Sequence, residues 1–221
     1  MHVGRSIAAL IGASVLVSGC SLTSNSPEAA GGSPAAGVPT ANAVPAAGAP
    51  AVRGGRLSAA DLQSRWWTWA ASSVSDANPV SDRDGRLCAQ GQAAGIWFLA
   101  GTFGETVTRS CTVPAAVPVA FPLVNMIGSA ADCGSFMESA RGSAVLDGQE
   151  VEPQRFEATD VQVTAVEGNP LTSGAGRLRM QACGLWVQLD PLTPGSHTLG
   201  IRGSSGSFEV SVDYRLQVSS G

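Results

Sequence analysis

An all-β fold, an antiparallel β-sandwich of immunoglobulin-like or jelly-roll-like type with one N-terminal helix, is predicted here by three observations. Residues 208–218 set Phe208, Val210, Val212, Tyr214, Leu216 and Val218 in strict alternation with Glu209, Ser211, Asp213, Arg215 and Gln217, the period of a half-buried strand. Short apolar or alternating runs bounded by Gly and Pro recur upstream with little helical periodicity, as in two packed antiparallel sheets. Four cysteines, Cys88, Cys111, Cys133 and Cys183, follow an export-type leader, and an even set in an exported chain reads as a disulfide framework. The cysteine and tryptophan spacing of true immunoglobulin domains is absent.

The leader comes first. Arg5 precedes an apolar run of 11 residues, Ile7–Val17, and Val17-Ser18-Gly19-Cys20 follows at once. A bilayer span needs about 20 apolar residues, so the run reads as a signal peptide. Its ending resembles a bacterial lipobox, which makes 1–19 a lipoprotein signal peptide and Cys20 the lipidated N-terminus. Acyl chains there would anchor the protein to the membrane, each buried methylene contributing about 0.8 kcal/mol. Between positions 21 and 55, 29 of 35 residues are Ala, Gly, Pro, Ser, Thr or Asn, so segment 20–56 is expected to be a disordered tether. A flexible coil of that length reaches roughly 30 to 35 Å, and the β-sandwich domain is expected over 57–221.

The domain opens on a helix. Ser58 is placed to cap it, Asp61 sits at its third position, and Leu57 faces Leu62 as a hydrophobic staple. At about 100° per residue Leu62, Trp66 and Trp69 share one stripe, and Trp67 points off it. Trp67 is therefore either part of a helix clamped between two apolar surfaces or a platform for ligand stacking. Asn78-Pro79 closes this region, and residues 81–85 form a polar turn. An EF-type calcium loop fails there because Val80 and Gly91 stand where acids are needed; Asp82 and Asp84 leave a looser site or a solvated turn. Ile96–Ala100, between Gly95 and Gly101, is a short buried strand, Glu105–Cys111 alternates as its partner, and Val117–Val124 is a third strand bent at Pro118 and Pro122.

Several of these segments together resemble a known group. Trp66-Trp67-Thr68-Trp69, Asn78-Pro79-Val80, Cys88, Trp97-Phe98-Leu99-Ala100-Gly101-Thr102, Arg109-Ser110-Cys111-Thr112-Val113-Pro114 and Phe121-Pro122-Leu123-Val124-Asn125 are similar in kind and order to motifs of an uncharacterised group of bacterial exported proteins. The ending, Pro194 to Thr198 and then Phe208 to Val218, is similar too. The resemblance implies export and a common fold, and it carries no activity.

The rest of the chain continues the β pattern. Residues 130–141 form a short helix around Cys133, and 144–151 a hairpin, since Asp147-Gly148 accepts the positive φ angles of a type I′ turn. Residues 156–166 form a strand that changes phase near Asp160, the mark of a bulge. Residues 177–182 and 185–189 flank Cys183, and the turn at 194–196 leads into 197–201. Four cysteines allow three connectivities. Cys88 with Cys111 and Cys133 with Cys183 is the expected pairing, because the first two flank an adjacent strand pair.

Composition narrows the chemistry. The 13 cationic residues are all arginine, which excludes Schiff-base, Ser/Lys and phosphate-loop mechanisms. A net charge of −4 without a basic cluster argues against nucleic acid. No metal or cofactor is expected: no C-x-x-C occurs, and after the leader the one histidine is His197. Catalytic templates are missing, and Asp132 with Glu138 is the one suggestive carboxylate pair. The expected function is a non-catalytic, membrane-anchored extracytoplasmic lipoprotein that binds a cell-envelope polymer or a protein partner. The alternative is an envelope-polymer or glycoside hydrolase using paired carboxylates.

Overall fold

The computed structural model describes residues 55–219. The expected signal peptide, the lipidated Cys20 and nearly all of the tether lie outside the described residues. Helix α1 (Ala59–Ala70) begins where Ser58 Oγ accepts the Asp61 amide at 3.1 Å. Then come β1 (Trp97–Phe98), β2 (Thr106–Val113), β3 (Val119–Gly128), α2 (Ala130–Ser139), β4 (Arg141–Leu146), β5 (Gln149–Val151), β6 (Gln154–Ala165), β7 (Gly176–Leu189), β8 (Gly195–Ser205) and β9 (Phe208–Val218). The strands form a four-stranded sheet, β1-β3-β7-β6, and a five-stranded sheet, β2-β9-β8-β4-β5. None of the described helices is long and apolar enough to cross a membrane.

Two sheets dominate, as expected, but they are not wholly antiparallel. β1 runs parallel to β3, and β2 runs parallel to β9 along Thr106–Val113 and Ser211–Val218. The expected β1–β2 partnership does not form, because residues 99–105 carry the chain from the first sheet to the second. The Cys88–Cys111 bridge accordingly ties a turn to β2 instead of stapling two neighbouring strands. A second helix joins the one expected in the fold class. α2 holds a capping box, in which Ser129 Oγ accepts the Asp132 amide and Asp132 accepts the Ser129 amide. The Asp147-Gly148 hairpin forms with φ of 50° and 80°, and the β6 bulge falls just ahead of Asp160, between Phe156 and Thr159.

Burial follows three layers. Val119, Phe121, Leu123, Leu185, Val187 and Leu189 of the first sheet meet Leu199, Ile201, Val210, Val212, Tyr214 and Leu216 of the second in one core. On the other face of the first sheet, Ala120, Val161, Val163 and Trp186 pack under Leu62, Trp66, Trp67 and Trp69 of α1. Strands buried on both faces lose their alternation, which is why Ala182–Leu189 is buried without a break while β9 keeps its period of two. The helix also shields an edge: Ser64 and Thr68 hydroxyls accept the Gln162 and Thr164 amides of β6 at 3.2 and 3.1 Å, groups that would otherwise invite another strand.

The layers touch most closely at β3. Its register shifts between Pro122 and Val124, leaving Leu123 as the extra residue of a bulge, and a Cβ on Gly203 of β8 would lie 2.1 Å from the Leu123 carbonyl. Glycine is required there so that the bulge can seat against the second sheet. Both expected disulfides are present, Cys88–Cys111 and Cys133–Cys183, with Cα separations of 6.0 and 5.8 Å. Loss of a native bridge typically costs about 2 to 5 kcal/mol, and in a domain of this size each kcal/mol moves the melting temperature by roughly 2 to 4 °C. Cys88→Ser is therefore expected to melt several degrees lower or more, which calorimetry checks; an unchanged melt would show that the first bridge constrains little.

Candidate functional site

Three of the sequence motifs converge on one small recess of about 90 Å³. Helix α1 supplies Trp66 and Trp67, the link after β1 supplies Gly101, Thr102 and Phe103, and the β3 bulge supplies Pro122, Leu123 and Asn125; Val80, Leu171, Phe208 and Val210 complete the wall. The bulge matters because it changes the phase of β3 and so sets which side chains enter. Trp67 is only 4% exposed, so it is not an open stacking face; of its two expected roles the clamped one holds, with one side bordering the recess. Phe103, by contrast, is 44% exposed.

The polar groups here are unevenly satisfied. Trp66 Nε1 donates to the Leu99 carbonyl at 3.0 Å, and the Thr102 hydroxyl donates to the Glu105 carbonyl at 2.8 Å. Trp67 Nε1 and Asn125 Nδ2 are buried and have no partner. Most buried donors are hydrogen-bonded, and these two exceptions both belong to residues that border the recess. Asn125 stood in the F-P-x-x-N motif, but nothing in the sequence marked it as a site residue.

A larger open groove of about 510 Å³ lies against β2, β8 and β9 and includes Asp147, His197 and Arg215. His197 Nδ1 lies 2.6 Å from Asp147 Oδ2, and Nε2 lies 2.8 Å from the Thr193 carbonyl. Both ring nitrogens face acceptors, an arrangement that favours the imidazolium, in which each nitrogen donates, over the neutral ring. Burial by itself would lower its pKa; the bonds to Asp147 and Thr193 outweigh that and raise it above 6.5. For Asp147 burial acts upward, and the His197 bond and the Thr198 amide outweigh it, leaving the carboxyl below 3.8.

The linkage follows from those signs. The raised histidine contributes stability that is complete below pH 6.5 and lost as pH climbs through the folded pKa. The depressed aspartate contributes stability present above 3.8 and lost as pH falls through its folded pKa. His197→Gln is thus expected to lose more stability, relative to the parent chain, near pH 5.5 than near pH 9 in paired thermal melts. A loss of equal size at both would remove the charged pair from the account.

The remaining candidates are engaged elsewhere. Asp132 Oδ2 accepts the Ser129 hydroxyl and amide at 2.6 and 3.0 Å, bonds that hold its carboxyl below the ordinary value. Glu138 lies six residues further along α2, about 240° around the helix, so these two do not form a facing pair. Asp82 is 3% exposed and accepts the Asp84 and Leu87 amides, while Asp84 accepts that of Arg86. The Arg86 amide foremost, then Asp82, lower the Asp84 pKa. This closes a turn by backbone amides instead of leaving carboxylates free for calcium. No group of three or more His, Cys, Asp or Glu side chains could hold a metal among the described residues.

The most heavily bonded side chain was not foreseen. Arg109 of β2 is 1% exposed. Its Nε donates to the Asp82 carbonyl at 2.6 Å, one terminal nitrogen to the carbonyls of Ala100 and Gly101 and to Tyr214 Oη, and the other to the Val80 carbonyl. Tyr214 Oη donates in turn to the Ala100 carbonyl at 2.8 Å and accepts its amide at 3.1 Å. Burial raises the Tyr214 pKa against the opposing pull of Arg109, so the phenol keeps its proton. This network positions residues 100–101, beside the recess.

No protein family and no curated protein matches the chain. Among solved structures, a family 123 glycoside hydrolase from Clostridium perfringens, studied for glycolipid glycan hydrolysis, is similar over 52% of this chain at 12% identity, with a TM-score of 0.22. The chain spans about a quarter of that enzyme chain, 23% of its length. A likeness of that degree carries no argument about fold or activity.

Proposed function

We propose that the chain is an extracytoplasmic lipoprotein, held to the bacterial cell membrane by lipid on Cys20, whose β-sandwich domain is a binding module for a component of the cell envelope. The observation that carries this reading is the recess, where residues from separate sequence motifs meet in a mostly apolar concavity. Binding sites are typically concave and mostly apolar, with a few placed polar groups. The lipobox-like ending at Val17–Cys20 and the tether of Ala, Gly, Pro and Ser support the address. Two disulfides suit an oxidising compartment.

The address and the binding are tested separately. A fatty-acid probe fed to cells is expected to label the chain and to leave Cys20→Ala unlabelled; labelling that persists in Cys20→Ala overturns the anchor. The full chain, and a chain beginning at Arg56, should retain a cell-wall polymer or an envelope protein in pull-downs and leave it chemically unchanged. Release of reducing ends from a retained polymer would establish the hydrolase instead, and retention of nothing would remove both.

A further inference from the structure

We propose that the groove over β2, β8 and β9 is a further binding site, in which Arg215 receives the anionic group of an acidic, polyhydroxylated polymer. This rests on the reading of the domain as a binding module, although the groove shares no residue with the recess. The strand period decides which side chains enter. Tyr214, Leu216 and Val218 of β9 face the core, so Arg215 and Gln217 project from the opposite side of the sheet. β2 and β8 alternate likewise, and they bring Ser110, Thr112, Ser196 and Thr198 to that same side, all exposed and all lining the groove. The register sets these side chains in two rows, Ser110, Arg215 and Thr198 in one and Thr112, Gln217 and Ser196 in the next, on strands about 4.8 Å apart.

Arg215 is the unclaimed charge of this surface, with neither a hydrogen bond nor an ion pair within the described residues. The carboxylates at hand are engaged: Asp213, two residues before it, meets Arg202 at 2.7 Å, and Asp147 has one oxygen on His197 Nδ1 and the other on the Thr198 amide. A guanidinium keeps its charge and holds five N–H donors in a planar fork that matches two oxygens of one anion. His197 spends both ring nitrogens on Asp147 and the Thr193 carbonyl, so the groove offers one charge. The matching group therefore carries one as well, as a sugar carboxylate or a phosphodiester does. Around it the Ser110 and Thr112 hydroxyls, also unbonded, can each donate and accept, which suits the hydroxyls of a polyol chain. No Trp, Tyr or Phe lines the groove, which removes the stacking that holds single-stranded nucleic acid. A volume of about 510 Å³ lies in the range of ligand sites, and the open form lets a longer chain pass.

The test titrates the full chain, purified in detergent, with trigalacturonate, its methyl ester, a glycerol phosphodiester trimer and maltotriose in a calorimeter. The expected result is salt-sensitive binding of one or both anionic oligomers and of neither neutral one; the tighter of the two names the source of the charge. Arg215→Gln should weaken that binding about tenfold or more, the worth of a charge-assisted hydrogen bond, while Arg177→Gln, the same change of charge at an exposed position of β7 in the other sheet, should leave it within about twofold. Arg215→Lys should recover only part, since an ammonium lacks the fork. An exposed arginine without partners is replaced at little cost to folding, so these variants remain measurable. Equal binding of the methyl ester, binding of neither anion, or equal losses in the two glutamine variants would overturn the proposal. If pull-downs with the parent chain and with Arg215→Gln retain the same envelope polymer equally, this site fails and the binding module stands; if the parent chain retains none, the broader reading fails with it.

Discussion

Val212→Asp is expected to leave no folded protein, while Asp213→Ser next to it should melt within a degree or two of the parent chain. Val212 is fully buried on β9, paired with Ile201 on one side and Val107 on the other. An aspartate there would put a carboxylate between two sheets, where the buried cation of the adjoining strand, Arg109, is already engaged by four carbonyls and Tyr214. The effective penalty for burying an unpaired charge is several kcal/mol, added to the lost packing, against a total stability of about 5 to 15 kcal/mol. Asp213 points the other way and meets Arg202 at 2.7 Å with both side chains about half exposed, a pair worth under about 1 kcal/mol. Circular dichroism melts of the two variants make the comparison. Equal melts would mean that the inward face of β9 has been assigned wrongly.

Arg109→Leu is expected to be the most damaging change outside the apolar core. Leucine fills part of the space but removes the arginine's bonds to the carbonyls of Val80, Asp82 and Gly101, and leaves Ala100 with Tyr214 Oη alone. An unsatisfied buried acceptor costs about 1 to 3 kcal/mol, so even partial relaxation leaves a loss of roughly 3 to 5 kcal/mol and a melt lower by about 10 °C or more. Arg109→Lys should fall short as well, because an ammonium cannot reproduce the planar fork that reaches five acceptors. A lysine variant as stable as the parent chain would reduce the arginine to a buried charge of no special geometry.

The sequence disclosed what depends on neighbours along the chain. The β9 alternation, the Ser58 cap and the Asp147-Gly148 turn are written within a few residues, and all three formed. The parallel pairing of β2 with β9 joins residues about a hundred positions apart, and no local pattern records it. Arg109 occupies an inward position among Val107, Cys111 and Val113, so an inward-facing cation was legible as an oddity, though not its five partners. The phase of Asn125 depends on the bulge at Leu123, which Pro122 marked only as a bend. Trp67 stands off the apolar stripe of α1, and the sequence left open whether a second surface covers it; residues 80, 101 and 171 border it there.

The position of β9 also sets an order of events during synthesis. It is made about a hundred residues after β2, yet it lies inside its sheet, between β8 and that early strand. Until Phe208–Val218 emerges, β2 has no neighbour and Tyr214 cannot meet Arg109. Pairings of such long sequence separation also form slowly. The second sheet of a nascent chain of this design therefore stays incomplete through the roughly hundred residues that separate β2 from β9.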